Sequence, residues 1–176
     1  MRRRRRRRNA MAYGALKQPP LPSLLDRLRD DDAVDALTGP NASVTRQVEA
    51  LRRAVRRDLE LLLNTRVRCI SPPADLDEVR QSVVDYGIPD FTGEDMAAPE
   101  HRDGLRRAIE AAIRRFEPRF LQVSVTLSGE TNMEDRRLCF RIEALMRAYP
   151  SPEPVVFDSF MDPVTRDMEV RPGDHG

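Results

Sequence analysis

Two histidines, two cysteines and 29 carboxylates are the side chains from which this chain could build a reactive site. His101 and His175 stand apart, neither with a Cys, Asp or Glu at ligand spacing beyond chance. His101 reads as a helix-start residue and His175 as part of a polar tail. Cys69 and Cys139 are isolated thiols, expected to be small packing residues, and two cysteines without a framework point to a reducing compartment. The chain has no Gly-rich phosphate loop, nucleophile elbow or Cys-x-x-Cys motif. Carboxylates are so numerous that an acid and nucleophile pair for glycoside hydrolysis is easily found, and none is singled out. One constellation stands out, Glu117-Pro118-Arg119. The residue before a proline is pushed to an extended conformation, so Glu117 and Arg119 project to one side, in parity with Leu121, Val123 and Val125. If the strand ran back to Glu117, both charges would face the core, which is costly unless they are paired. Two readings are open: a helix-to-strand corner with solvated charges, or charges held for a carboxylate or guanidinium on a partner chain.

The flanking elements have clear signatures. Val44, Val48, Leu51, Val55, Leu59 and Leu62 recur at steps of three and four, laying one apolar stripe on a helix with Ser43 as N-cap. That helix is expected to end near Asn64, a residue that tolerates the left-handed conformation. A second helix starts near Pro99 and carries Leu105, Ala108, Ile109, Ala112, Ile113 and Phe116 on one face until Pro118 stops it. Between them Asp75–Val84 predicts a short helix, and Tyr86, Ile88 and Phe91 are expected to pack onto the body. The period then changes to two. Leu121, Val123, Val125 and Leu127 predict a half-exposed strand. After a turn around Gly129-Glu130-Thr131-Asn132, the alternation of Leu138, Phe140, Ile142 and Ala144 predicts its antiparallel partner. Val155–Phe160 is a third β-like run, and Asp167–Val170 a short final strand after the Asp162-Pro163 turn. Helices first and strands afterwards give an α+β class: two amphipathic helices on a small, largely antiparallel sheet.

Composition limits the alternatives. The chain has 176 residues, room for one domain, and no apolar run near the roughly 18 residues that cross a bilayer. Its formal charge of +1 hides a split, because seven arginines lie in Arg2–Arg8 and the remainder is net acidic. A nucleic-acid-binding body is thereby disfavoured. Lys17 is the only lysine, an arginine bias that fits high-GC coding better than selective use of guanidinium forks. The leader has three readings: an electrostatic arm for nucleic acid or anionic lipid, a poor export signal, or residues upstream of a true start at Met11. A Pro-rich stretch with Pro19, Pro20 and Pro22 follows, then a helical turn at Ser23–Leu28 and a breaker at Gly39-Pro40. The organisation expected is a disordered leader over 1–21, a domain over 22–171 and a polar tail over 172–176.

Three segments resemble one family. Leu62-Leu63-Asn64-Thr65-Arg66 closes the first helix, Ser82-Val83-Val84-Asp85-Tyr86-Gly87-Ile88-Pro89-Asp90 lies in the connection, and Glu117-Pro118-Arg119 precedes a β-hairpin. In this order they resemble the TssE-type baseplate subunits of bacterial type VI secretion systems, relatives of phage-tail baseplate wedge proteins once labelled "lysozyme-like". The resemblance implies a cytoplasmic, non-enzymatic protein without cofactor or metal. Such a subunit docks on the helical bundle of TssF and TssG and initiates the contractile TssB–TssC sheath. By position, Glu117, Pro118 and Arg119 match the family's Glu-Pro-Arg motif, expected at the contact with the wedge bundle. A short sheet with open edges can exchange strands with the first sheath ring, and Phe157, Phe160 and the chain after Pro154 are the candidate contact. Two other functions stand as alternatives: a peptidoglycan-hydrolysing lysozyme-like enzyme, and a nucleic-acid-binding adaptor acting through the arginine leader.

Overall fold

A computed structural model describes residues 43–68, 73, 75–80, 82–91, 93–128, 137–162 and 164–174. The leader Arg2–Arg8, the Pro-rich stretch, the turn at Ser23–Leu28, Gly39-Pro40, Cys69, the turn at Gly129–Asn132, Pro163 and His175 lie outside them.

The 3.6-residue stripe folds as α1 (Val44–Asn64), with the Ser43 side chain accepting from the Arg46 amide at 3.4 Å. Leu51, Val55, Leu59 and Leu62 are buried on it, joined by Ala50, Ala54 and Leu63, whereas Val44 at the start of the stripe is exposed. The helix ends at Asn64, but without the left-handed terminus expected: Thr65 caps it in an extended conformation, φ −89°. The Asn64 amide has another task, described below. The connection forms a four-residue helix α2 (Asp77–Arg80) and a 3-10 turn (Val83–Asp85) capped by Ser82, in place of one short helix over Asp75–Val84. Pro99 occupies the first turn of α3 (Pro99–Phe116), which buries Leu105, Ile109, Ala112 and Ile113.

The sheet is an antiparallel meander of β1 (Phe120–Leu127), β2 (Leu138–Met146), β3 (Glu153–Met161) and β4 (Met168–Pro172), in the order β1-β2-β3-β4. Period-two alternation turns Val123 and Val125, then Phe140, Ile142 and Met146, then Val155, Phe157 and Met161, and finally Met168 and Val170 towards the two long helices. α3 lies along β1, α1 along β4, and the helices touch each other, so all these side chains share one core. Ile88 joins it, with Tyr86 and Phe91 packed against it. Cys139 is buried in β2.

Both outer edges of the sheet, expected to be open, are partly covered by helix side chains. On β4 the Arg56 guanidinium donates to the Val170 carbonyl at 3.1 Å, and Asn64 both donates to the Met168 carbonyl and accepts from the Met168 amide at 2.8 Å. On β1 the Val123 carbonyl and the Val125 amide and carbonyl are bonded by side chains of α3. β3, the run that carries Phe157 and Phe160, is hydrogen-bonded on both sides and is not an edge at all. Beyond β4 the chain turns back, with the Gly173 amide donating to Val156 and Arg141 bonding the Asp174 carbonyl.

Candidate functional site: a charged corner clamped by three motifs

Glu117 leaves α3 as its C-cap, its amide still donating to the Ile113 carbonyl at 2.9 Å. Pro118 prevents a further helical turn, and β1 begins two residues later at Phe120. The corner is therefore only three residues long, and its two charges close on each other. Arg119 Nε donates to Glu117 Oε1 at 2.6 Å, Arg119 Nη2 to Glu117 Oε2 at 2.5 Å, and the Arg119 amide to Glu117 Oε1 at 3.1 Å. The same Nη2 reaches Asp58 of α1 at 2.5 Å, tying the corner to the helix across 61 residues of sequence. The Arg119 carbonyl accepts from Arg147 at 2.7 Å, just past the end of β2.

Glu117 keeps only 4% of its side-chain surface and Arg119 15%. The charges are thus not solvated, and instead of being held free for a partner chain they pair with each other and with Asp58 of the same chain. Burial works against the Arg119 charge, but the hydrogen bonds and charges of Glu117 and Asp58 outweigh it, holding the guanidinium well above its ordinary range. Its third nitrogen, Nη1, is buried without a hydrogen-bond partner among the described residues.

The second motif lies against this corner. Tyr86 meets Phe116 edge-on with ring centroids 5.2 Å apart, and Arg115 stacks on Phe116 while pairing with Asp85 at 2.8 Å. Burial, reinforced by the negative charges of Asp58 and Glu117, raises the Tyr86 phenol above its usual value, with Arg119 opposing. Gly87 adopts φ +121° and lies so close to α1 that a Cβ there would stand 2.4 Å from the Thr65 carbonyl oxygen. Only glycine meets both demands. The Ile88 amide then donates to that carbonyl, and Val67 donates back to Ile88, both at 3.0 Å.

The first motif is the other half of this join. Leu62 and Leu63 fill the core, Asn64 clamps Met168 of β4, and Thr65 receives Gly87 and Ile88. Arg66 donates to the Leu63 carbonyl at 2.8 Å and to the carbonyl of Arg166 at 2.9 Å, in a turn where Arg166 itself has φ 63°. The three motifs are thus one continuous contact from the end of α1, through Asp85–Ile88, to the corner between α3 and β1. Asp58 belongs to this assembly and was not singled out by sequence, because it sits in α1 among residues that read as a solvated face.

Phe157 and Phe160 are not brought to one place. Phe157 points into the core with 3% of its surface exposed, so its side chain has no face to offer a partner. Phe160 lies on the opposite face of the sheet, half-buried under Arg171, whose guanidinium carbon is 5.2 Å from the ring centroid. His101 sits on the first turn of α3, with Nδ1 2.9 Å from the Asp95 carbonyl oxygen. Among the described residues no group of His, Cys, Asp and Glu is arranged to hold a metal ion, and no helix is long and apolar enough to cross a membrane.

Comparison with known proteins gives the arrangement a family. No curated protein sequence matches the chain. A chain of a solved structure described as "The baseplate complex from the type VI secretion system" is similar at 19% identity and a TM-score of 0.44, over 64% of this chain and 94% of that one. The family model for the baseplate wedge protein gp25 matches residues 49–151, from α1 through β2 and including all three motifs. That span is more than half of the sequence, and the chain belongs to the gp25 family of baseplate wedge proteins.

Proposed function

We propose that this structural baseplate protein is the TssE-type subunit of a type VI secretion machine. It docks on a TssF–TssG wedge bundle in the cytoplasm and initiates the TssB–TssC sheath. The observation that carries the reading is the convergence of its three motifs on one clamp. Residues that look like separate signatures in sequence share a single physical task, to fix the corner Glu117-Pro118-Arg119 relative to α1. The charges are consumed within the clamp, so the partner meets a corner of defined shape rather than two free charges. Pro118 is itself exposed, and so are Val83 and Val84, which precede the Asp85 that pairs with Arg115.

On the sheath side, the face of the sheet turned away from the helices carries Phe160 with Asp158, Glu169 and Arg171 around it. Phe160 is the contact candidate that the fold leaves accessible. The test is co-purification with TssF and TssG from cells producing all three. Arg119→Lys keeps a positive charge but cannot form the bidentate fork on Glu117. It is expected to weaken co-purification while the isolated subunit still melts cooperatively. Undiminished capture of TssF and TssG by Arg119→Lys and by Glu117→Ala would count against docking through this corner.

A further inference from the structure

β1 is an unusual edge strand. Its eight residues, Phe-Leu-Gln-Val-Ser-Val-Thr-Leu, include no charge, no proline and no glycine. Natural edge strands are commonly protected by charged residues, proline or bulges, because an uncharged β-prone strand invites pairing with another chain. β1 has a register shift between Phe120 and Gln122 at its start; from Val123 onward the protection comes from α3. Arg106 donates to the Val125 carbonyl at 3.2 Å, Glu110 accepts from the Val125 amide at 3.1 Å, and Arg114 donates to the Val123 carbonyl at 3.2 Å. The three side chains stand four residues apart along one helix face and are linked through Glu110, at 3.2 Å to Arg106 and 2.5 Å to Arg114. Towards β1 they present the acceptor and donors that a neighbouring strand would present. The ladder is made of side chains alone, Arg114 being 61% exposed, Arg106 26% and Glu110 16%. The β4 edge differs, because Asn64 clamps it from within the helix-ending motif.

We infer that the β1 edge is a latent strand-pairing surface, closed in the single subunit by the Arg106–Glu110–Arg114 ladder. The partner it fits is the β1 strand of a second copy. Antiparallel pairing of two β1 edges about a two-fold axis at Ser124 sets Val123 of one copy opposite Val125 of the other. It thereby satisfies the Val123 carbonyl and the Val125 amide and carbonyl that the ladder now holds.

The full-length chain with Arg106→Ala, Glu110→Ala and Arg114→Ala together is the direct test, its mass in solution read by light scattering on a sizing column. It is expected to double in mass at micromolar concentration and to return to the single-subunit mass when Ser124→Lys is added, which places two like charges on the axis. A control triple, Arg46→Ala, Glu49→Ala and Arg53→Ala, removes the same charges from the exposed side of α1 and should keep the wild-type mass. A ladder variant that stays a single subunit overturns the inference. So does association that Ser124→Lys leaves unchanged, the result expected if the variant merely aggregates from an unfolded state. Hydrogen exchange reads the ladder itself: Glu110→Ala should speed exchange of the Val125 amide by about tenfold or more, and unaltered exchange would mean that the bond does not guard the edge.

Discussion

Replacing Arg119 by alanine removes the cation that the buried Glu117 and the half-buried Asp58 share. In the native corner Arg119 makes three side-chain hydrogen bonds, at 2.6 and 2.5 Å to Glu117 and at 2.5 Å to Asp58. Glu117, with 4% of its side chain exposed, would then have no guanidinium facing it, and Asp58 would lose the same partner. Breaking a buried pair from one side costs about 3–5 kcal/mol, because the surviving charge stays desolvated. Against a total stability of roughly 5–15 kcal/mol for a domain, that is a large fraction. Asp58→Ala is milder, since the Glu117–Arg119 fork survives; loss of one charged hydrogen bond costs about 1.5–3 kcal/mol. Added to Arg119→Ala, Asp58→Ala should cost little more, because the pair it would break is already gone. Urea unfolding followed by circular dichroism measures all three variants, provided the slopes agree. An Arg119→Ala unfolding free energy within about 1 kcal/mol of wild type would refute the clamp and return the corner to solvated charges.

Three further outcomes follow from the geometry. Gly87→Ala should destabilise the fold by at least about 2 kcal/mol in the same assay, since it combines a positive φ with a clash on the Thr65 carbonyl; a neutral result would mean that the connection does not rest on α1. Ser159 is fully buried in β3 with a hydroxyl that has no partner among the described residues, so Ser159→Ala should raise stability by about 1 kcal/mol and the melting temperature with it. Tyr86 has its phenol raised above 10.0 in the fold by burial and by Asp58 and Glu117. Its contribution is complete below the ordinary phenol value and is lost as pH rises through the folded-state one. The phenolate absorbance attributable to Tyr86, by difference from Tyr86→Phe, should appear at higher pH than that of a free tyrosine.

Much of the fold is legible in the sequence, because burial imposes its period on it. The stripes of α1 and α3 and the alternation of β1 and β2 each leave a long regular trace, and Ser43 and Pro99 mark the helix starts by chemistry local to them. What was not legible depends on partners distant in sequence. Asp58 looks like any charged residue on a helix until Arg119 arrives beside it, and Arg106, Glu110 and Arg114 look like a solvated face until β1 lies within their reach. Asn64 does end α1, but it serves Met168 and not a left-handed turn. Parity also held information about β3. Phe157 and Phe160 are three apart and so must face opposite sides of a strand, and the packing of Val155, Phe157 and Met161 decides which one is inside.

Site-specific photo-crosslinking in cells that assemble the baseplate tests docking through the clamped corner most directly. A photoreactive side chain at Val83, exposed beside the clamp, is predicted to capture TssF or TssG. The same group at Thr126, exposed on β1 across the sheet from the helices, should capture neither. Wedge adducts from Thr126 and none from Val83 would contradict the account.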